Sequence, residues 1–125
     1  MNSAPYTDAT LCKAERLHGK TAVATLMARG RWGSEGHFKY CYLKRGIADG
    51  DAEICRIITS LPKKHFKRAV KRNLLKRRTR EAYRRQKALV QGLSVDILFS
   101  YASSETASYE QIYEEVGRIL KAVAG

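Results

Sequence analysis

Within the 25 residues from Lys63 to Lys87 the chain carries thirteen lysines and arginines against one acid, Glu81. No other feature restricts what this sequence can fold into, and against what, so strongly. From Lys67 to Gln91 there is no proline or glycine, and Gly92 follows, so the segment is predicted to be one long helix. At 3.6 residues per turn, Arg72, Asn73, Lys76, Arg77, Arg80, Arg84 and Lys87 fall on one face. Leu75, Ala82 and Leu89 fall opposite, seven apart, with Thr79 beside them. Like charges four residues apart repel by about 0.2–0.5 kcal/mol per pair, so an isolated helix gains nothing from this pattern. A polyanion lying along the face relieves the repulsion and releases counterions. Arginine predominates, and its planar fork suits phosphate. The amide of Asn73 can both donate and accept, towards a sugar, a base edge or a neighbouring arginine.

The remainder of the chain sharpens the contrast. Residues 1–62 hold nine Lys/Arg against six Asp/Glu, and residues 88–125 hold two against five, so the formal net charge of +12 resides in one window. Charge serving solubility alone would be spread over the surface; concentrated charge marks a docking surface. The anionic partner is expected to be nucleic acid first and an acidic membrane surface second. At 125 residues and 44% hydrophobic content the chain is expected to form a single domain, 1–125, with residues 1–10 a flexible tail. No apolar run reaches the roughly 18–20 residues of a membrane span, and Met1 to Thr10 does not read as a secretory signal. Cys12, Cys41 and Cys55 are odd in number and scattered, and His18, His37 and His65 show no ligand spacing. They are read as reduced thiols of a cytoplasmic protein, with no metal site.

The other elements follow from local pattern. Lys20–Arg29 is predicted to be a short helix closed by Gly30, and Arg31 to Gly36 a loop. Phe38 to Lys44 alternates, with Phe38, Tyr40 and Tyr42 on one face and Lys39, Cys41 and Leu43 on the other, and is predicted to be a strand. Gly46 to Asp51 reads as a turn. Glu53 to Ser60 reads as a second strand closed by Pro62. Leu93 to Tyr101 reads as a buried strand and Ser103 to Ser108 as a loop. A final helix, opened by Glu105 or Ser108, runs to about Val123, with Ile112, Val116, Ile119, Leu120 and Val123 at helical spacing. The order suits a small sheet covered by helices, an α+β fold.

The segment A-V-K-R-N-L-L-K-R-R-T-R-E-A-Y-R, Ala69 to Arg84, resembles the signature of the bacterial ribonuclease P protein component family. That signature runs A-V-x-R-N-x-x-K-R-x-x-R; Ala69, Val70, Arg72, Asn73, Lys76, Arg77 and Arg80 match in register, with Lys63 and Lys64 preceding. The resemblance extends more weakly over about residues 11–123: Glu15-Arg16-Leu17, the helix ending at Arg29-Gly30, the strand near Phe38, and Val95 to Phe99 followed by Tyr109-Glu110. It implies a two-layer α-β-sandwich with a small mixed sheet, order α-β-β(-β)-α-β-α, and an unusual left-handed β-α-β crossover, where spacing alone would favour a right-handed one. It also implies two RNA partners: a large catalytic RNA subunit, contacted through the basic helix, and precursor tRNA. The single-stranded 5′ leader of the latter would lie in a cleft between the sheet and the first helix.

The expected RNA-binding residues are Lys63, Lys64, Lys67, Arg68, Lys71 and Arg72, then Asn73, Lys76, Arg77, Arg80 and Arg84. For the leader cleft, many relatives carry aromatics on the first helix where this chain has Val23 and Met27. Phe38, Tyr40 and Tyr42 are alternative cleft residues, with ordinary core packing equally open for them. Arg78 and Thr79 stand where relatives often have apolar residues, although the stem of Arg78 can still cover apolar surface. No catalytic residue is expected in the protein. A protein nuclease usually needs clustered carboxylates holding divalent metal, whereas Asp49, Asp51 and Glu53 read as a solvated turn and His65 as a further RNA contact. The chemistry would belong to the RNA with its Mg2+, the protein holding no cofactor and taking no small-molecule substrate. Three other readings stay open on sequence: a ribosomal or other structural RNA-binding protein, a DNA-binding helix module, and a stand-alone nuclease.

Overall fold

The computed structural model describes residues 17, 19–44, 55–90 and 92–125. The expected tail 1–10, Cys12, Glu15, Arg16, His18, the turn 46–51 and the start of the second predicted strand lie outside them. In chain order the elements are α1 (Lys20–Arg29), β1 (Arg31–Glu35), β2 (Phe38–Lys44), β3 (Cys55–Ser60), α2 (Ala69–Gln86), β4 (Val95–Tyr101) and α3 (Tyr109–Ala124). Among the described residues no helix is long and apolar enough to cross a membrane.

The sheet order is β1-β2-β4-β3. β1 and β2 form an antiparallel hairpin, β2 pairs antiparallel with β4, and β3 pairs parallel with β4. The parallel pair obliges the chain to cross over between its members, and α2 is that crossover. This is the expected order, with β1 as the additional strand.

The segment 31–36 is therefore not a loop. Arg31–Glu35 pairs residue for residue with β2, from Arg31 opposite Tyr42 to Glu35 opposite Phe38. Its sequence, R-W-G-S-E, has little strand character, and the pairing is supplied by β2. Gly36 turns the hairpin at φ 57°. A Cβ there would lie 2.2 Å from the Glu115 carboxyl carbon, so a side chain would displace that carboxylate from His37 as well as strain the backbone.

α1 has the predicted bounds and ends at Gly30, whose N–H donates to Leu26 O at 2.8 Å. Gly30 sits at φ −78°, an ordinary value. It is small because a Cβ would stand 2.5 Å from Cys41 Sγ and 2.8 Å from Tyr42 O. α3 opens at Ser108, one of the two predicted starts. The Ser108 hydroxyl accepts from Gln111 N–H, and the Gln111 side chain accepts from Ser108 N–H, a reciprocal cap.

The main core lies between the sheet and the α2–α3 pair. Phe38, Ile57, Ile97, Phe99 and Tyr101 of the strands meet Leu75, Ala82 and Tyr83 of α2 and Ile112, Val116, Ile119, Leu120 and Val123 of α3. That is the two-layer sandwich. α1 adds a smaller cover on the opposite face, where Leu17 and Leu26 pack on Cys41 and Leu98. Cys41 and Cys55 are buried thiols, and burial raises the Cys41 pKa. On the α1 side, Arg56 of β3 clasps the nearly buried Asp96 of β4 with two 2.8 Å hydrogen bonds.

Candidate nucleic-acid interface

α2 divides into two faces. Leu75, Thr79, Ala82 and Tyr83 are buried against the core. Thr79 fits an apolar surrounding because its hydroxyl donates to Leu75 O at 2.8 Å, leaving no orphan donor. Arg78 lies at the edge, its guanidinium 2.6 Å from Ala107 O. On the far side, Asn73, Arg77 and Arg80 are exposed, with Lys76 and Arg84 half-exposed beside them. Asn73 to Arg84 spans roughly 16 Å along the axis. Among the described residues, the side chains of Lys76, Arg77 and Arg80 have no hydrogen bond or ion pair. The stripe is continuous on one helix, and α3 packs on its opposite, apolar side. The acidic C-terminal third of the chain therefore does not cover it.

Three details differ from the expected stripe. The helix is shorter than Lys67–Gln91: it runs Ala69–Gln86 and then tightens into a 3-10 turn, Lys87–Val90. Gln91 is not among the described residues. In that turn Leu89 is 39% exposed and Val90 1% exposed. So Val90, not Leu89, continues the buried face.

Arg72 does not join the stripe. It lies towards the buried side, and its Nη1 donates to Phe66 O at 2.8 Å and Lys67 O at 2.9 Å, closing the turn that enters α2. Arg68, at the helix N-cap, provides no side-chain cap, so Arg72 ties down the preceding carbonyls instead. Replacing Arg72 by alanine is expected to lower stability by about 1–3 kcal/mol, through loss of charge-assisted bonds. The salt dependence of RNA affinity should stay nearly as in the parent. Thermal melts and a salt titration check the two halves.

Arg84 is partly committed as well. It forms a two-pronged pair with Glu81, at 2.9 and 2.8 Å, and this bonding holds the Glu81 carboxyl below its usual pKa. Lys63, Lys64, Lys67, Arg68 and Lys71 are exposed along the link and first turn leading into the stripe. His65, in the same link, lies 3.3 Å from the Ser104 hydroxyl through Nδ1. Arg85 and Lys87, exposed and not among the residues expected to bind RNA, extend the cationic surface towards the C-terminal end.

The expected cleft residues do not assemble. Phe38, Tyr40 and Tyr42 point to the main-core face: Phe38 is buried edge-on against Phe99 and Tyr101, and Tyr40 stacks on Tyr42 at 6.4 Å. Val23 and Met27 belong to the α1 side, Val23 packed on the minor core and Met27 exposed. The two sets lie on opposite faces of the sheet because strand side chains alternate. Of the two readings open for the strand aromatics, core packing holds.

The profile of the family described as Ribonuclease P matches residues 11–124. The chain belongs to the ribonuclease P protein family. A Porphyromonas gingivalis ribonuclease P protein component is 30% identical over 121 residues, covering 92% of this chain and 87% of that protein. The solved RNase P protein of Thermotoga maritima superimposes with a TM-score of 0.74 at 24% identity, over 89% of this chain and 99% of that one. That of Staphylococcus aureus gives 0.74 at 22% identity, over 89% and 96%. A ribonuclease P protein is a subunit of an endoribonuclease that processes tRNA, and the cationic face of α2 is the feature of this member suited to RNA.

Proposed function

We propose that this subunit binds the catalytic RNA of ribonuclease P through the exposed face of α2 and the Lys63–Arg68 link. In the same complex it holds the 5′ leader of precursor tRNA on the α1 side of the sheet. The RNA, with its Mg2+, performs the hydrolysis, and the protein supplies charge neutralisation, positioning and leader affinity in the cytoplasm. The observation that carries this reading is the run of Lys76, Arg77 and Arg80, cations without a counter-ion among the described residues, on the helix face opposite α3.

Four carboxylates among the described residues support a non-catalytic protein. Asp96 is taken by Arg56, Glu81 by Arg84, Glu115 by His37, and Glu35 pairs with Arg118. Acids so partnered are occupied in holding elements together: Glu115 accepts from His37 N–H at 2.9 Å and so pins the β1–β2 turn to α3. A metal-assisted hydrolase needs carboxylates free to share an ion.

Reconstitution tests the proposal. Added to a bacterial ribonuclease P RNA at low magnesium, the protein is expected to restore 5′ processing and to favour precursor over mature tRNA. Cleavage by the purified protein with metal and without RNA would establish a protein nuclease instead. RNA binding with no preference for the precursor would favour a structural RNA-binding role.

A further inference from the structure

We infer that Trp32, seconded by Lys39, is the base-stacking residue for the single-stranded leader. The inference rests on the leader reading above and places its aromatic contact on a strand rather than on α1.

The sheet register sets the geometry. Trp32 lies opposite Cys41, and Ser34 opposite Lys39. Cys41 faces α1, so all four residues project to that side. Trp32 is 45% exposed, an unusual state for an indole, yet it is oriented: Nε1–H donates to Met27 O of α1 at 3.2 Å. Lys39 Nζ stands 5.5 Å from the ring centroid. A large aromatic that is held in place and still open to solvent meets the requirements of a stacking platform, because its ordering cost falls on folding rather than on binding.

The adjacent surface fits the same occupant. Ser34, Lys39, Ser100 and Ser60 are paired in sequence across all four strands. They form a strip of hydroxyls and one ammonium beside the apolar row that α1 covers. The strip ends at Ser60, three residues before the basic link begins at Lys63. The acid nearest in register on this face, Asp96, is neutralised by Arg56. An indole, an ammonium for phosphate and hydroxyls for ribose suit unpaired nucleotides. A duplex keeps its base faces stacked and cannot offer them.

Trp32 is the single tryptophan of the chain, so its emission reports directly. In the reconstituted holoenzyme, precursor tRNA with a 5′ leader should quench this emission and mature tRNA should not. Trp32→Ala should weaken precursor binding by about fivefold to a hundredfold, with mature tRNA as the reference, and Trp32→Phe should retain most of the affinity. A parent complex that favours the precursor, with a preference unaltered by Trp32→Ala, overturns the role of Trp32 and leaves the leader reading standing. Equal weakening towards both RNAs, or no quenching by the leader, overturns it too. A parent complex without any preference overturns both.

Discussion

Replacing Lys76, Arg77 and Arg80 together by glutamine is expected to weaken binding of the catalytic RNA about a hundredfold at 0.15 M salt. The slope of log affinity against log salt should fall by about 2 to 3, one contribution of roughly 0.7–0.9 per phosphate lost. The three side chains have no partner among the described residues, so the folded protein loses no hydrogen bond with them. It is relieved of Lys76–Arg80 repulsion across one helical turn. Stability should therefore stay within about 0.5 kcal/mol of the parent. Filter-binding titrations over a salt series, with thermal melts alongside, measure both quantities. An unchanged slope in a fully folded variant would move the RNA contact to another surface.

The opposite face of the same helix should behave in the opposite way. Leu75 is completely buried where α2 meets the sheet and α3. Leu75→Ala removes apolar contact and leaves a cavity that two helices and a sheet cannot readily close, at about 2–5 kcal/mol. A domain of this size has a total stability of roughly 5–15 kcal/mol, and the melting temperature should drop by about 10–20 °C. The salt slope of whatever fraction remains folded should match the parent, because no cation has been touched. A melting temperature within a degree or two of the parent would contradict the packing of α2 described above. Together the two variants separate what α2 does for the fold from what it does for RNA.

Part of this division is legible along the chain and part is not. The presence of α1, α2 and α3 follows from runs of helix formers, with α1 closed at Gly30 and α3 opened by the cap at Ser108, signals that act within a few residues; the ends of α2 do not follow in the same way. The stripe at Asn73, Lys76, Arg77, Arg80 and Arg84 follows from helical periodicity alone. Arg72 shares the i,i+4 spacing of Lys76, Arg80 and Arg84, yet it also stands three residues before Leu75 and seven before Thr79, which sets it at the edge of the buried face. Its place is decided by the carbonyls of Phe66 and Lys67, which approach it only because the link folds back on the first turn. Val90 rather than Leu89 enters the core; it stands seven residues after the buried Tyr83, a spacing that the choice of Leu75, Ala82 and Leu89 as the apolar row passes over.

What sequence determined here is everything that depends on near neighbours: helices, the alternation of β2, the cationic face, and the family to which the chain belongs. What only tertiary structure decided is everything that depends on pairing at a distance. β1 is a strand because β2 offers it a hydrogen-bonding edge, not because R-W-G-S-E prefers to be extended. Which face of β2 becomes the core was equally open until α2 and α3 closed over Phe38, Tyr40 and Tyr42. That closure gave Lys39 and Trp32 to the α1 side. The physical reason is the same in each case: a strand is stabilised by the edge and the layer it meets, and those come from residues far along the chain.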